Sequence, residues 1–118
     1  MRCWHPLRKR RDFERLYREG VRFRSPLLTL VVARAETARG AEAQPGAWRA
    51  ATVCSKKVDR RAVRRNLLKR RLRNLLDTVN WRPGQSGDLA FICKPELAEA
   101  PFAEMQRHVE RLVARAGL

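Results

Sequence analysis

Apolar residues recur along this chain in blocks whose periods match helices and strands. Between Ala62 and Val79, Leu68, Leu72, Leu75, Leu76 and Val79 return every three or four residues. At about 100° per residue they fall on one stripe, which predicts a helix that buries one face. No Gly or Pro interrupts it, and Leu, Arg and Lys are good helix formers. A shorter helix is predicted over Asp12–Glu19, where Phe13, Leu16 and Tyr17 share a face. Asp12 suits its N-terminal dipole and Gly20 its C-terminal cap. A last helix follows Pro101, with Phe102, Met105, Val109, Leu112 and Val113 on its apolar side.

Three apolar runs have strand length instead. Leu27–Ala35 is almost continuously hydrophobic, which predicts burial on both faces over part of its length. Trp48–Cys54 and Asp88–Lys94 are the other two, and Pro95 ends the latter. Val21–Arg24 can form a further short strand. The segment 36–47 is small, polar and broken by Gly and Pro, so a flexible loop of a hairpin connection is predicted there. The order is helix, strand, strand, helix, strand, helix. That is an α/β (α+β) class, a small sheet with helices packed on it. The length of 118 residues fits one domain over 1–118, which opens with a basic arm over 1–11.

Charge changes the picture. Lys and Arg number 27 against 12 Asp and Glu, a formal net charge of +15. The excess is uneven. Residues 1–24 hold nine cations and three acids, whereas 75–118 hold five cations and six acids. Half of the residues from Ser55 to Asn74 are Lys or Arg, and Asp59 is the one acid among them. On the central helix Arg65, Asn66, Lys69, Arg70 and Arg73 form a second stripe beside the leucines. Arg65, Lys69 and Arg73 are successive i,i+4 neighbours of one sign, which repel unless an anion neutralises them. Solvated helix faces ordinarily mix signs; this one predicts a polyphosphate partner, that is, nucleic acid.

The chemistry of catalysis is missing. The acids are scattered and neither His has a partner at ligand spacing. No Gly-rich phosphate loop and no nucleophile–base pattern stands out. Asp59, alone among cations, reads as a loop or N-cap residue. His108, off the apolar stripe of the last helix, reads as a surface residue. The three cysteines are odd in number and far apart, so neither a zinc site nor a disulfide framework is predicted; Cys54 and Cys93 read as small core residues. The longest apolar run is too short to span a membrane, and no signal-peptide pattern opens the chain, so a cytoplasmic protein is expected. Phe13 and Tyr17 are ordinary core candidates by spacing. Arg10, Arg11, Arg15 and Arg18 flank them, however, and aromatics among cations suit single-stranded RNA. The residues alone thus describe a nucleic-acid-binding module without catalytic machinery, in which the aromatics near the basic arm favour RNA over DNA. DNA is disfavoured because no helix-turn-helix spacing precedes the basic helix. A structural RNA-binding protein, such as a ribosome-associated factor with a basic helix, fits these residues.

The stretch Ser55-Lys56-Lys57, followed by Arg65-Asn66 and Lys69-Arg70-Arg71-Leu72-Arg73, resembles the signature of the bacterial ribonuclease P protein subunit family. Leu7, Asp12-Phe13 through Tyr17 and Gly20, the strand Asp88–Lys94, and Pro101-Phe102-Ala103-Glu104 extend the resemblance along nearly the whole chain. The resemblance implies an α/β sandwich of αβββαβα order with a left-handed βαβ crossover. It implies a ribonucleoprotein that removes the 5′ leader from precursor tRNA, the RNA subunit performing hydrolysis with Mg²⁺ and the protein binding no cofactor itself. Its implied partners are the catalytic RNA and precursor tRNA, with neither membrane nor DNA. Lys56, Lys57, Arg65, Asn66, Lys69, Arg70 and Arg73 match the RNA-contacting motif. Arg60 and Arg61 belong to the Arg-rich form of its loop. Phe13 and Tyr17 match the leader-side aromatics. Where many members carry an aromatic on the first long strand, this chain has an aliphatic residue near Val31.

Overall fold

The structure is a computed structural model, and it describes residues 4–34, 48–82 and 85–118. The predicted flexible loop over 36–47 lies outside the described residues. The elements run β1 (Trp4–Pro6), α1 (Arg10–Glu19), β2 (Val21–Arg24), β3 (Leu28–Arg34), β4 (Trp48–Val53), α2 (Ala62–Thr78), β5 (Gly87–Cys93), a 3₁₀ turn (Pro95–Glu99) and α3 (Phe102–Ala116). The five strands form one mixed sheet in the order β1-β4-β5-β3-β2. β4 and β5 are parallel neighbours joined through α2, a βαβ unit, while β3 pairs antiparallel with both β5 and β2.

Alternation along the central strands sorts the core into two layers. Leu28, Leu30 and Val32 of β3, with Leu89 and Phe91 of β5, face α2 and α3. The intervening Val31, Ala33 and Ala90 face α1, where Leu16 closes a smaller cluster. This two-sided burial accounts for the near-continuous hydrophobicity of β3. On α2 the predicted stripe is the buried one: Leu68, Leu72, Leu75 and Leu76 are its buried residues, and Val79 packs against them half-buried.

Several features depart from the sequence expectation. The basic arm is not an arm over its whole length. Trp4–Pro6 pairs in parallel with Trp48–Ala50, and the Trp4 indole N–H donates to Asp77 of α2 at 2.8 Å. Arg10 and Arg11 belong to α1 itself. Three residues with one large apolar side chain carry too little periodicity to announce a strand; Trp4 is fixed by partners distant in sequence. Gly20 does cap α1, but in extended backbone (φ −74°, ψ 152°), not the left-handed form. A Cβ there would stand 2.5 Å from the Leu16 carbonyl oxygen and 2.6 Å from Val31 Cγ1, so close packing requires the glycine. Phe102 is 43% exposed and lies at the rim, not in the stripe, of α3. His108 is buried, its Nδ1 2.9 Å from Ser25 Oγ in the β2–β3 turn. The expectation of a surface histidine fails because α3 packs against β2 and β3 over a wider arc than its aliphatic residues mark.

Candidate nucleic-acid interface

The loop before α2 is held by its own charges. Asp59 accepts the Arg61 backbone N–H at 2.9 Å and both Nε and Nη2 of the Arg61 side chain at 3.1 Å. Arg64 Nε adds a contact at 3.5 Å. Hydrogen bonds from the Arg61 side chain and backbone lower the Asp59 pKa to about 2. Asp59 is thus a loop residue that organises the entry to the helix, while Arg61 occupies the N-cap position. From one turn inside α2, Arg65 Nη1 donates to the carbonyls of Asp59 and Arg60 at 3.0 and 2.8 Å. Val58 plugs into the core beneath. Lys56, Lys57 and Arg60 are exposed on this braced loop.

The basic stripe of α2 splits in three. Asn66, Arg70 and Arg73 line a shallow concavity on the outer face, around Val63 and Leu67. Lys69 and Arg73 also turn toward a groove of about 410 Å³ beside the sheet. Phe13, Leu7 and Arg8 from the α1 side, Trp4 and Pro6 of β1, Leu76 of α2, and Ala50, Ala51 and Thr52 of β4 complete that groove. Arg65 faces the loop instead. Arg64, outside that stripe, donates to the Ala98 carbonyl at 3.0 Å, tying α2 to the 3₁₀ turn.

α1 lies across β3, with Leu16 buried. Phe13 and Tyr17 are half-buried along its flank, their ring centroids 6.1 Å apart and tilted by 49°. Ala51 and Ile92 pack with them on the sheet face. Burial pushes the Tyr17 phenol up, and the nearby Arg22 guanidinium opposes it. The two rings are therefore neither fully core nor fully exposed, which is what a stacking platform needs.

A buried ionic cluster seats α1. Asp12 in its first turn accepts Arg15 Nη2 at 3.1 Å and Arg49 Nη1 at 3.3 Å. Arg49 in turn grips Asp88 with bonds of 2.7 and 2.8 Å. Sequence alone gives Asp12 only a dipole role and gives Arg49 and Asp88 none. The available signal is a pair of charges inside strand-like runs, Arg49 beside Trp48 and Asp88 before Leu89, which need partners if the strands are buried. Cys93 of β5 is buried and Cys54, just past β4, is half-buried, and both are free. Burial pushes both thiols up. Among the described residues, no three of His, Cys, Asp or Glu come together to hold a metal ion. No helix among them is long and apolar enough to cross a membrane.

The sequence profile of the family described as Ribonuclease P matches residues 1–117. The chain belongs to the ribonuclease P protein family. A protein of Synechococcus sp. (strain JA-2-3B'a(2-13)) named Ribonuclease P protein component is 36% identical over 116 residues, which cover 97% of this chain and 83% of that protein. One of the same name from Chloroflexus aurantiacus (strain ATCC 29366 / DSM 635 / J-10-fl) is 33% identical over 119 residues, covering 100% of this chain and 82% of that protein. The RNase P protein of Staphylococcus aureus, solved at 2.0 Å, superposes with a TM-score of 0.76 at 19% identity, over 95% of this chain and 94% of that one. That of Thermotoga maritima gives 0.74 at 22% identity, over 94% and 96%. At such identities the superpositions establish the fold, a mixed α+β sheet with three helices.

Family membership makes the chain an RNA-binding component of RNase P, in tRNA processing. The structure orders the residues that the sequence put forward by environment. Lys56, Lys57, Arg60 and Arg61 stand exposed on the loop, and Asn66, Arg70 and Arg73 on the outer face of α2. Lys69 joins Arg73 in the groove opposite Phe13. Arg65 is drawn to the loop carbonyls, and Tyr17 sits one turn beyond Phe13 on the flank of α1.

Proposed function

We infer that this RNase P protein holds the catalytic RNA against the exposed loop and outer face of α2. The 5′ leader of precursor tRNA then lies in the groove between α2, β4 and α1. One observation carries the reading: a single groove has the cations Lys69 and Arg73 on one wall and the aromatic Phe13 on the other, floored by small residues of β4. Cations neutralise phosphates and a flat ring stacks on a base whatever its identity, so a single strand of varied sequence suits both walls. The small, half-buried floor residue Ala51 leaves room for the strand. The residues that line the groove include neither a carboxylate nor a histidine to act as general acid or base. Hydrolysis is therefore assigned to the RNA subunit with its Mg²⁺, and the protein's part is to bind and orient.

The test is precursor-tRNA cleavage by RNase P RNA at low Mg²⁺, with and without this protein. The protein should raise the rate, and protein alone should cut nothing. An unchanged rate with protein fully bound to the RNA would contradict the reading. Mg²⁺-dependent cleavage by RNA-free, nuclease-free protein would contradict the assignment of chemistry to the RNA.

A further inference from the structure

We propose that the single-strand path continues past Tyr17 onto the edge strand β2, where Arg22 and Arg24 take phosphates of leader nucleotides farther upstream. This inference rests on the leader reading above and extends it to a second, purely electrostatic segment.

The register fixes where these two arginines stand. Arg22 is opposite Val31 and Arg24 opposite Thr29. Val31 belongs to the layer beneath α1, so both arginines share the sheet face that carries α1, while Phe23 between them packs into the other layer. Arg22 then reaches back to Tyr17 at the end of α1. Its Nη1 donates to the Tyr17 carbonyl oxygen at 3.3 Å, and its charge acts on the Tyr17 phenol. Two residues on along β2, Arg24 lies about 7 Å farther out. Arg115 of α3 donates to the Arg24 carbonyl at 2.9 Å and holds the end of the strand. Phe13 and Tyr17 of α1 and Arg22 and Arg24 of β2 thus share one side of the sheet: two rings, then two guanidinium groups.

Charge on this flank is mostly positive. Arg18 is 73% exposed in its side chain, and Glu19 beside it stands 3.9 Å from the Arg18 guanidinium. Neither Arg22 nor Arg24 has a carboxylate within ion-pair distance among the described residues. Charge on an edge strand discourages strand pairing wherever it points. These two charges stand on the sheet face that carries α1, and guanidinium groups bind phosphate with paired donors. The strand's polarity follows from the groove. The end joined to tRNA lies at α2, nearest the catalytic RNA, and the upstream end runs to β2.

The experiment compares holoenzyme affinity for precursor tRNA with a short leader of about 4 nucleotides and a long one of about 16, the range over which single-strand sites extend. Each is measured across a salt series. The wild type should bind the long leader more tightly, and two added phosphate contacts should steepen the log–log salt slope by about 1.4. R22A/R24A should lose that increment and the added slope, whereas R22K/R24K should keep most of both. Arg24→Ala alone, which leaves the Tyr17 contact in place, should lose about half. Phe13→Leu is the control for the underlying reading and should weaken both leaders alike. No effect of Phe13→Leu on the short leader sinks that reading, not the length result. The proposal is overturned if lengthening the leader gains nothing in the wild type, or if the gain survives in R22A/R24A. It is equally overturned if R22A/R24A weakens mature tRNA or assembly with the catalytic RNA by the same factor.

Discussion

Arg49 and Asp88 stand directly opposite each other on β4 and β5, and the guanidinium closes on the carboxylate with bonds of 2.7 and 2.8 Å. Asp12 of α1 takes a third bond from the same guanidinium. The cluster therefore joins the sheet to the helix that carries Phe13 and Tyr17. Removing one member of a buried ion pair strands the other charge. Asp88→Ala should cost about 3 kcal/mol, read as a lower urea midpoint with an unchanged slope. Asp12→Ala should cost less, because Arg49 keeps Asp88, and its protection loss should be confined to α1 in hydrogen exchange. A global loss equal to that of Asp88→Ala would mean that Asp12 does more than seat the helix.

Gly20 sets how closely α1 approaches β3. Its backbone conformation is open to any residue, so the cost of a side chain there is steric alone. The new methyl of Gly20→Ala would meet the Leu16 carbonyl and Val31 Cγ1 well inside contact distance. The expected penalty is about 1–3 kcal/mol from overpacking, with the preference for precursor over mature tRNA reduced as Tyr17 is lifted. Thermal unfolding and tRNA binding of the same variant check both parts.

His108 gives a pH dependence with a definite sign. Burial first, then Arg111 and Arg107, hold its pKa below the ordinary value. Glu104, 3.7 Å from Nε2, pulls the other way, and Lys94 bonds the carbonyl of the same Ser25 that faces Nδ1. The folded chain thus takes up the proton less readily than the unfolded chain, whose His titrates near 6.5. This contribution to stability is complete above about pH 6.5 and is lost as pH falls through the lower folded value. Urea midpoints should drop between about pH 7 and about pH 5 in the wild type, and less steeply in His108→Gln. Equal slopes in the two proteins would place the titration elsewhere.

Most of this architecture was legible because period and burial coincide. The Leu68–Leu76 stripe is both helical in spacing and buried, and the β3 run is buried on both faces. What stayed illegible depends on partners far away in the chain. Trp4 becomes a strand residue through Trp48, and Asp12, Arg49 and Asp88 acquire roles by meeting one another. The site divided the same way. Residue type and spacing put Lys69, Arg73 and Phe13 forward separately; only the packing of α1, β4 and α2 places them around one groove. Arg65 shows the opposite case. It lies on the basic stripe by spacing, yet the carbonyls of Asp59 and Arg60 claim its Nη1.

That difference within the stripe makes a further prediction. Arg70→Glu and Arg73→Glu together should weaken binding to the catalytic RNA and flatten its salt dependence, by about 0.7–0.9 in log–log slope for each phosphate no longer neutralised. Folding should be unaffected, since both side chains are exposed. Arg65→Glu should act through the loop, raising hydrogen exchange over Ser55–Arg61 as well as weakening binding. Leu72→Asp should unfold the domain, because it buries an unpaired charge against the sheet. A normal salt slope in the Arg70/Arg73 variant would move the catalytic RNA off this face.

The central claim is that the flank of α1 reads the leader as a single strand, and the ratio of holoenzyme affinities for precursor and mature tRNA measures it most directly. Leu at Phe13 or Tyr17 keeps apolar volume but removes the flat ring. Base–aromatic stacking is worth about 1–3 kcal/mol, so each variant should lower the ratio by roughly five- to a hundred-fold while mature tRNA binding stays level. If Phe13→Leu and Tyr17→Leu both fold and both keep the parental ratio, the rings only fill the space between α1 and the sheet, and the leader lies elsewhere.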